Sequence, residues 1–512
     1  MSADLSALRE RGIAVETDAA TLERLSADIA GPAAHLPIAV VGPASVEELE
    51  WVMRLAAAQG LAIVPRGGGM SYTGGYGPTR ADSVLLDLRR LKRIEVHAGD
   101  HLVIADAGCT WAEIDEALAP QGLRLASFGP LSGIAATIGG GLSQHTMFFG
   151  AATAGLAGDA VLGLEVILAS GERLGTGALA RDGLPFFRQI APDLTGLFLG
   201  DAGAFGVKVR AALRTVPRPT AECFATFAYP TLAAMMTAQI AICRLGLAAE
   251  CYGFDAVANR HLGERGFGAA GTVQIATEIA RASRSPMAAA KALLQAGANR
   301  LSAPEAGITL HVAVEAETIG VAESRLASIR AVAGGRDMAD TIPRVTRARP
   351  FRRIRALLGP HGQNWLPVHG IAPLSQASAV LEACGAFLAE RAALFAFHRI
   401  EVSLLTSAGP GFILIEPQFF WFDALSPMLR DAVLPEQLAA YGDRVADASA
   451  RSVVFEARRQ LRDVLDLAGC VHIQPGKYYR PPLAPAAQMM LAQMKTLLDP
   501  ENRMNPGALF LP

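Results

Sequence analysis

Two glycine-rich stretches constrain this chain more than any other feature. They are Arg66-Gly67-Gly68-Gly69-Met70-Ser71-Tyr72-Thr73-Gly74-Gly75 and Phe128-Gly129-Pro130-Leu131-Ser132-Gly133-Ile134-Ala135-Ala136-Thr137-Ile138-Gly139-Gly140-Gly141. Glycine lets a backbone approach a ligand closely and adopt positive φ. Successive N–H groups in such a loop form a concave nest for phosphate oxygens. Two such loops on strand ends suit a long, bent, anionic ligand. The flanks narrow the choice. Ile38 to Val41 reads as a strand, Ser45 and Glu48 as a capping box, the following helix as running to Gln59, Gly60 as its stop, and Leu61 to Pro65 as a second strand. A dinucleotide fingerprint would open a helix after the first loop, but Asp82 to Leu88 reads as strand. No G-K-S/T follows, so the loop is not the phosphate loop of a nucleotide triphosphatase.

The rest of the chain supports a large α+β protein. Its 512 residues exceed what one core serves, which predicts two or three folding units. With a net charge of -2 it lacks the basic face of a nucleic-acid binder. No run approaches the roughly 18 apolar residues of a membrane span, and Met1 to Gly12 has no signal-peptide core. Cys109, Cys223, Cys243, Cys251, Cys384 and Cys470 form no CxxC, which suits a reducing cytoplasm. Leu102 to Ala107, Val161 to Ala169 and Val207 to Val216 read as strands, Leu194 to Leu199 as a short helix, and Thr110 with Glu113 as a second capping box. Pro217-Arg218-Pro219 breaks the pattern and marks a domain boundary. Beyond it, Ala-rich helical stretches alternate with strands such as Ile308 to Val314 and Phe412 to Glu416.

In this order the two loops resemble those of the FAD-linked oxidase superfamily of vanillyl-alcohol oxidase and p-cresol methylhydroxylase, related to flavin-linked D-lactate and glycolate dehydrogenases. Ala154-Gly155 with Asp159, Val161 to Glu172, Gly196 to Val207, and Asp499-Pro500 with Asn505-Pro506-Gly507 are similar to its later signatures. The resemblance implies an α+β fold: a two-part FAD-binding domain of the p-cresol methylhydroxylase type, residues 36–218 and 456–512, with an inserted α+β cap domain, 219–455. Residues 1–35 would be an N-terminal helical segment. It assigns FAD contacts to Arg66, Gly67, Gly68, Gly69, Met70, Ser71, Gly74 and Gly75; to Pro130, Gly133, Thr137, Gly139, Gly140, Ser143 and His145; and to Gly155, Val207 and Asn505. Some relatives link flavin through a histidine where Met70 stands, others through a cysteine in the second loop. Neither is present, so non-covalent FAD is expected, with a link from the cap left open.

Relatives acting on D-2-hydroxy acids often carry H-x-x-G-D-G-N-x-H and G-E-H-G-I-G segments. Both are missing, and the histidines make no metal-spaced pair, so no metal is expected. The tail Gly476-Lys477-Tyr478-Tyr479-Arg480 resembles the G-x-Y-R of the phenol-oxidising branch, with one extra residue. There the Tyr–Arg pair holds a phenolate. Ionising a phenol of pKa about 10 near pH 7 costs about 4 kcal/mol, and a cation about 4 Å away at an effective dielectric of about 20 returns a similar amount. Tyr479 and Arg480 are therefore candidate catalytic residues, with His369 in Asn364-Trp365-Leu366-Pro367-Val368-His369 and His472 beside Gln474. Against this, the branch's acidic residue aligns near Leu156, and its second tyrosine falls nearest Thr73, although Tyr72 and Tyr76 are close by. His398 with Glu401 reads as a core pair. Arg344, Arg347, Arg349, Arg352, Arg353 and Arg355 read as a solvated face or as the anchor of a carboxylate. The expected activity is hydride transfer from a small organic molecule to flavin N5. A 4-hydroxybenzylic substrate is the first reading, a D-2-hydroxy acid the second, and flavin binding without turnover the third. Oxygen, a cytochrome or another redox protein would reoxidise the flavin, and a homo-oligomer is left open.

Overall fold

The computed structural model describes residues 4–264, 307–351, 358–433, 435–441 and 444–511. Its first sheet is built from β1 (Ala14–Glu16), β2 (Ala39–Gly42), β3 (Ala62–Arg66) and β4 (Ser83–Asp87), in the order β1-β2-β4-β3. The last three are parallel and almost wholly buried, which explains their unbroken apolar runs. Helix Val46–Ala58 crosses from β2 to β3. Its Leu49, Val52, Met53 and Ala56 recur on one face and are buried. Ser45 caps it by accepting from the Glu48 N–H, while the Glu48 carboxylate reaches one residue further back, to the Ala44 N–H. The N-terminal segment is not purely helical. Ala14–Glu16 pairs antiparallel with β2, a strand too short to show a period in the sequence.

A second sheet joins β5 (Ile94–His97), β6 (Leu102–Asp106), β7 (Leu123–Leu125), β8 (Val161–Ile167), β9 (Arg173–Gly175) and β10 (Val207–Pro217). Its order is β5-β6-β10-β8-β9, with β7 on β10. Thr110 and Glu113 form the expected reciprocal box on helix Trp111–Leu118. β10 ends at Pro217, and the chain enters a third, antiparallel sheet at Ala221.

That sheet comprises β11 (Ala221–Tyr229), β12 (Glu250–Phe254), β13 (Ile308–Ala316), β14 (Arg336–Met338), β15 (Asn364–Pro367), β16 (Gly370–Pro373), β17 (Glu401–Gly409) and β18 (Phe412–Trp421). The order is β14-β11-β13-β12-β17-β18-β15, with β16 on β18. The expected division at 455/456 falls inside one continuous helix, Ala448–Leu467. Its Val454, Leu461 and Leu465 pack into the same core as Ile413 and Ile415 of β18. No glycine or proline interrupts its apolar repeat, so the helix does not stop there.

Buried charges tie the parts together. Arg347 pairs with Glu315 and Glu250, Arg124 with Glu315, and Glu250 accepts from the Gly150 N–H at 2.7 Å. The arginine run is thus partly structural. Arg344 pairs with Asp340, and Arg352, Arg353 and Arg355 lie outside the described residues. At the other end Lys495 donates to the Ala204 and Met504 carbonyls and to Asp499, using all three ammonium hydrogens. This holds the tail beside β3, where Ile63 donates to Arg503 O.

Candidate active site

The two glycine loops meet. A Cβ on Gly67 would overlap the Thr137 hydroxyl, and one on Gly68 the Ala135 carbonyl. Only glycine allows this approach. The paired loops floor a cleft of about 220 Å³ that runs from Arg66 and Lys208 at one end to β17, β18 and Trp365 at the other.

The loop end fits an anionic, extended cofactor. The N–H groups of Gly68, Gly69 and Met70 have no protein acceptor among the described residues. Nor have two buried side-chain atoms, Arg66 Nε and Thr137 Oγ1. Arg66 is buried, and burial lowers its pKa; it still brings a cation to a loop end with unpaired donors. Lys208 is buried and paired with Asp201 at 2.5 Å.

Of the residues assigned to FAD, Arg66, Gly67, Gly68, Gly69, Met70, Ser71, Gly75, Pro130, Thr137, Gly139, Gly140 and Ser143 line the cleft. Gly74, Gly133, His145, Gly155, Val207 and Asn505 do not line it. The His145 ring packs against Gly200, and Gly133 lies against the Phe351 ring. Asp159 caps Leu156 beside Gly155, and Val207 is in the core of the first sheet. Asn505 braces the floor: its amide donates to Gly75 O at 2.7 Å and Ala202 O at 2.6 Å.

The opposite end is lined by Tyr72, Phe148, Trp365, Leu405 and Leu414, with the polar groups of Glu416, Gln418 and Gln474. Glu416 and Gln418 are two apart on β18, so they share a face, and the Gln418 amide donates to Glu416 Oε1 at 2.6 Å. Glu416 has no Lys or Arg ion-pair partner among the described residues. Burial pushes its carboxyl up to about 7. The nearest ring nitrogen is His369 Nδ1, 4.0 Å from Glu416 Oε2.

His369 is fully buried. Its Nε2 lies 2.7 Å from the Ile473 carbonyl, which can only accept, so Nε2 carries the hydrogen. Burial, with His472 nearby, holds the ring pKa down at about 3. The His369 N–H donates to Tyr479 Oη at 3.1 Å. Tyr479 is buried, and burial moves its hydroxyl well above the usual range for a tyrosine. Its ring stacks on His472, whose nitrogens are engaged by His369 O and Asp466. Tyr479 and His472 therefore pack around His369, and none of the three lines the cleft; His369 reaches it only through Glu416.

Arg480 is not brought to the site. It is exposed, with its guanidinium 5.1 Å from the Phe510 ring centre. His398 and Glu401 do not pair; Glu401 is taken by His261 and Arg260. A buried cation near this end is Arg458, which donates to Tyr72 O and Pro367 O. Sequence reading missed Glu416 and Gln418 as cleft residues, and it placed Tyr72 and Tyr76, which also line the cleft, only as neighbours of the second-tyrosine position. One signal for the first two was present: two polar side chains at i and i+2 inside the otherwise apolar run Phe412 to Trp421.

Fold and cleft together suit an extended anionic cofactor, which the two glycine loops would hold on one side and residues of the antiparallel sheet on the other. Residues 37–177 match a family described as FAD binding domain, so this part of the chain is such a domain and FAD is its cofactor. Over 185 residues the chain is 30% identical to the glycolate oxidase subunit GlcD of Bacillus subtilis, covering 36% of this chain and 38% of that one. Over 202 residues it is 31% identical to the mitochondrial D-lactate dehydrogenase (cytochrome) of Arabidopsis thaliana, covering 39% and 34%. The matches thus span well under half of these curated relatives. The fold is that of the 4-ethylphenol oxidase from Gulosibacter chungangensis, with a TM-score of 0.70 over 99% of this chain and 96% of that one, at 15% identity. No helix among the described residues is long and apolar enough to cross a membrane, and no three His, Cys, Asp or Glu among them gather as a metal site.

Proposed function

We propose that this protein is an FAD-dependent dehydrogenase or oxidase acting on a small 2-hydroxy acid, with Glu416 as the base that takes the hydroxyl proton. The observation that carries this reading is the Glu416 carboxyl, which lines the cleft, has no Lys or Arg partner among the described residues and titrates near neutrality. A general base is most effective when its pKa lies near the working pH. FAD, when bound, supplies the hydride acceptor. Tyr72, Gln418 and Gln474 offer neutral groups to orient substrate oxygens, and Tyr72, Trp365 and Phe148 exclude water from the reacting carbon. The names of the Bacillus and Arabidopsis relatives favour the hydroxy acid, and the second name favours a cytochrome over oxygen as electron acceptor. A phenolic substrate is the second reading, favoured by the edge-to-face pair of Tyr72 and Trp365 in the cleft. The displaced Arg480 weakens it. An anaerobic screen of 2-hydroxy acids, phenols and other alcohols, followed by loss of the visible flavin absorbance, decides between them. Bleaching by phenols alone would replace the first reading with the second, and bleaching by nothing would leave a flavin binder.

Two further outcomes follow from the same site. Acid precipitation should release FAD into the supernatant, because Met70 lines the first loop and its thioether has no proton to lose in forming a neutral link. Yellow colour retained in the denatured pellet would contradict this. Exhaustive chelation should leave turnover unchanged, since the proton acceptor is a carboxylate. Loss of activity restored by zinc, iron or manganese would show that a metal does this work.

A further inference from the structure

We propose that His369 is the positioning partner of Glu416: its Nδ1 receives a hydrogen bond from the Glu416 carboxyl once that group has taken the substrate's proton. This deepens the reading above and rests on Glu416 being the base.

The geometry leaves His369 Nδ1 with nothing else to do. Nε2 is committed as a donor to Ile473 O, so Nδ1 presents a lone pair. It is buried and has no partner among the described residues. A buried acceptor left unpaired is costly, so its persistence needs a reason. Its neighbour is Glu416 Oε2 at 4.0 Å, while Oε1 of the same carboxylate is held by Gln418. At that distance there is no hydrogen bond. The physical reason is that an ionised carboxylate and an imidazole lone pair are both acceptors and repel each other. Protonation of Oε2 turns one of them into a donor, and closing about 1 Å then completes the bond.

The remaining groups around the pair do not compete for Nδ1. Tyr72 stands edge-on to the imidazole with ring centres 6.1 Å apart. Tyr479 Oη is engaged by the His369 N–H, and the His472 ring is held by His369 O and Asp466. Arg458 is bound to two backbone carbonyls. In the reaction the substrate O–H bond breaks and its proton goes to Glu416 Oε2. The C–H bond breaks, its hydrogen leaves with the electron pair to FAD, and the C=O bond forms. The bond to His369 then holds the protonated acid away from the new carbonyl until the proton escapes to water with product.

The test is nitrogen NMR of FAD-loaded, substrate-free protein carrying isotope-labelled histidine. As pH falls through the Glu416 midpoint, the Nδ1 resonance of His369 should move towards its hydrogen-bonded position, and in Glu416→Gln this pH dependence should disappear. A resonance that does not move, or a titration that persists in Glu416→Gln, overturns the inference. A second arm compares variants. His369→Asn keeps an acceptor near Nδ1 and should reduce flavin near the wild-type rate, whereas His369→Leu should lose about tenfold. Equal losses in both would make His369 merely structural. The two readings fail separately: full activity in Glu416→Gln removes the base, whereas a static Nδ1 resonance with a slow Glu416→Gln removes only the His369 partnership.

Discussion

Replacing Glu416 by glutamine should slow flavin reduction by about a hundredfold or more while FAD content stays unchanged. Loss of a positioned general base typically costs 10²- to 10⁴-fold, roughly 3–5 kcal/mol of barrier. Glutamine preserves the shape and the contact with Gln418 but cannot accept the proton. The pH profile carries the sharper signature. The base must be ionised, and burial holds the carboxyl at about 7. The wild-type rate should therefore rise with pH up to about 7 and level off above it, and the variant should show no such limb. Stability changes in the opposite sense. The folded protein binds this proton more tightly than the unfolded chain, whose carboxyl titrates near 4.5. The stabilisation from protonated Glu416 is full below about pH 4.5 and is lost as pH rises through about 7, on the order of 3 kcal/mol. Glu416→Gln should then gain stability relative to wild type on the alkaline side. Stopped-flow reduction and urea melts across this range measure both effects. A wild-type-like rate in the variant would remove Glu416 from the chemistry.

Gly68→Ala should weaken FAD binding by about two orders of magnitude while leaving the cap folded. A methyl group there would overlap the Ala135 carbonyl, a backbone atom that cannot rotate away. The loops would have to part. Overpacking of this kind costs about 3 kcal/mol, a roughly 150-fold weaker Kd. Gly140 provides the contrast. A Cβ at Gly140 meets only the Thr137 hydroxyl, at 3.4 Å, and the residue lines the cleft. Gly140→Ala should keep its flavin, and Gly140→Asp should lose it by placing a carboxylate where an anionic cofactor lies. Bound FAD after gel filtration, with circular dichroism as the folding control, reads all three. Full flavin content in Gly68→Ala would mean that contact between the loops is not what shapes the cradle.

The sequence by itself determined the glycine-loop end of the cleft. Glycine's lack of a side chain is a local property, and the β-α-β flank around Ser45 and Glu48, with the box at Thr110 and Glu113, fixes where each loop leaves its strand. Twelve of the residues assigned to FAD accordingly line the cleft. Asn505 was legible as a marker, but not as a brace between Gly75 and Ala202. The opposite end of the cleft takes shape only in the tertiary structure. Tyr479 and Arg480 are neighbours in sequence, yet one is buried behind His369 and the other faces solvent. In a non-helical stretch adjacent side chains need not share a face, and a motif with one extra residue does not say which of them points inward. Glu416 shows the converse. It lies in an apolar strand far in sequence from Tyr72, His369 and Gln474, and the one local signal, a polar pair with Gln418 in an apolar run, does not say which groups it meets. Its chemistry arises when β18 is laid over the glycine loops and water is removed from its carboxyl. Desolvation and proximity depend on the packing of distant segments, so no window of sequence contains them.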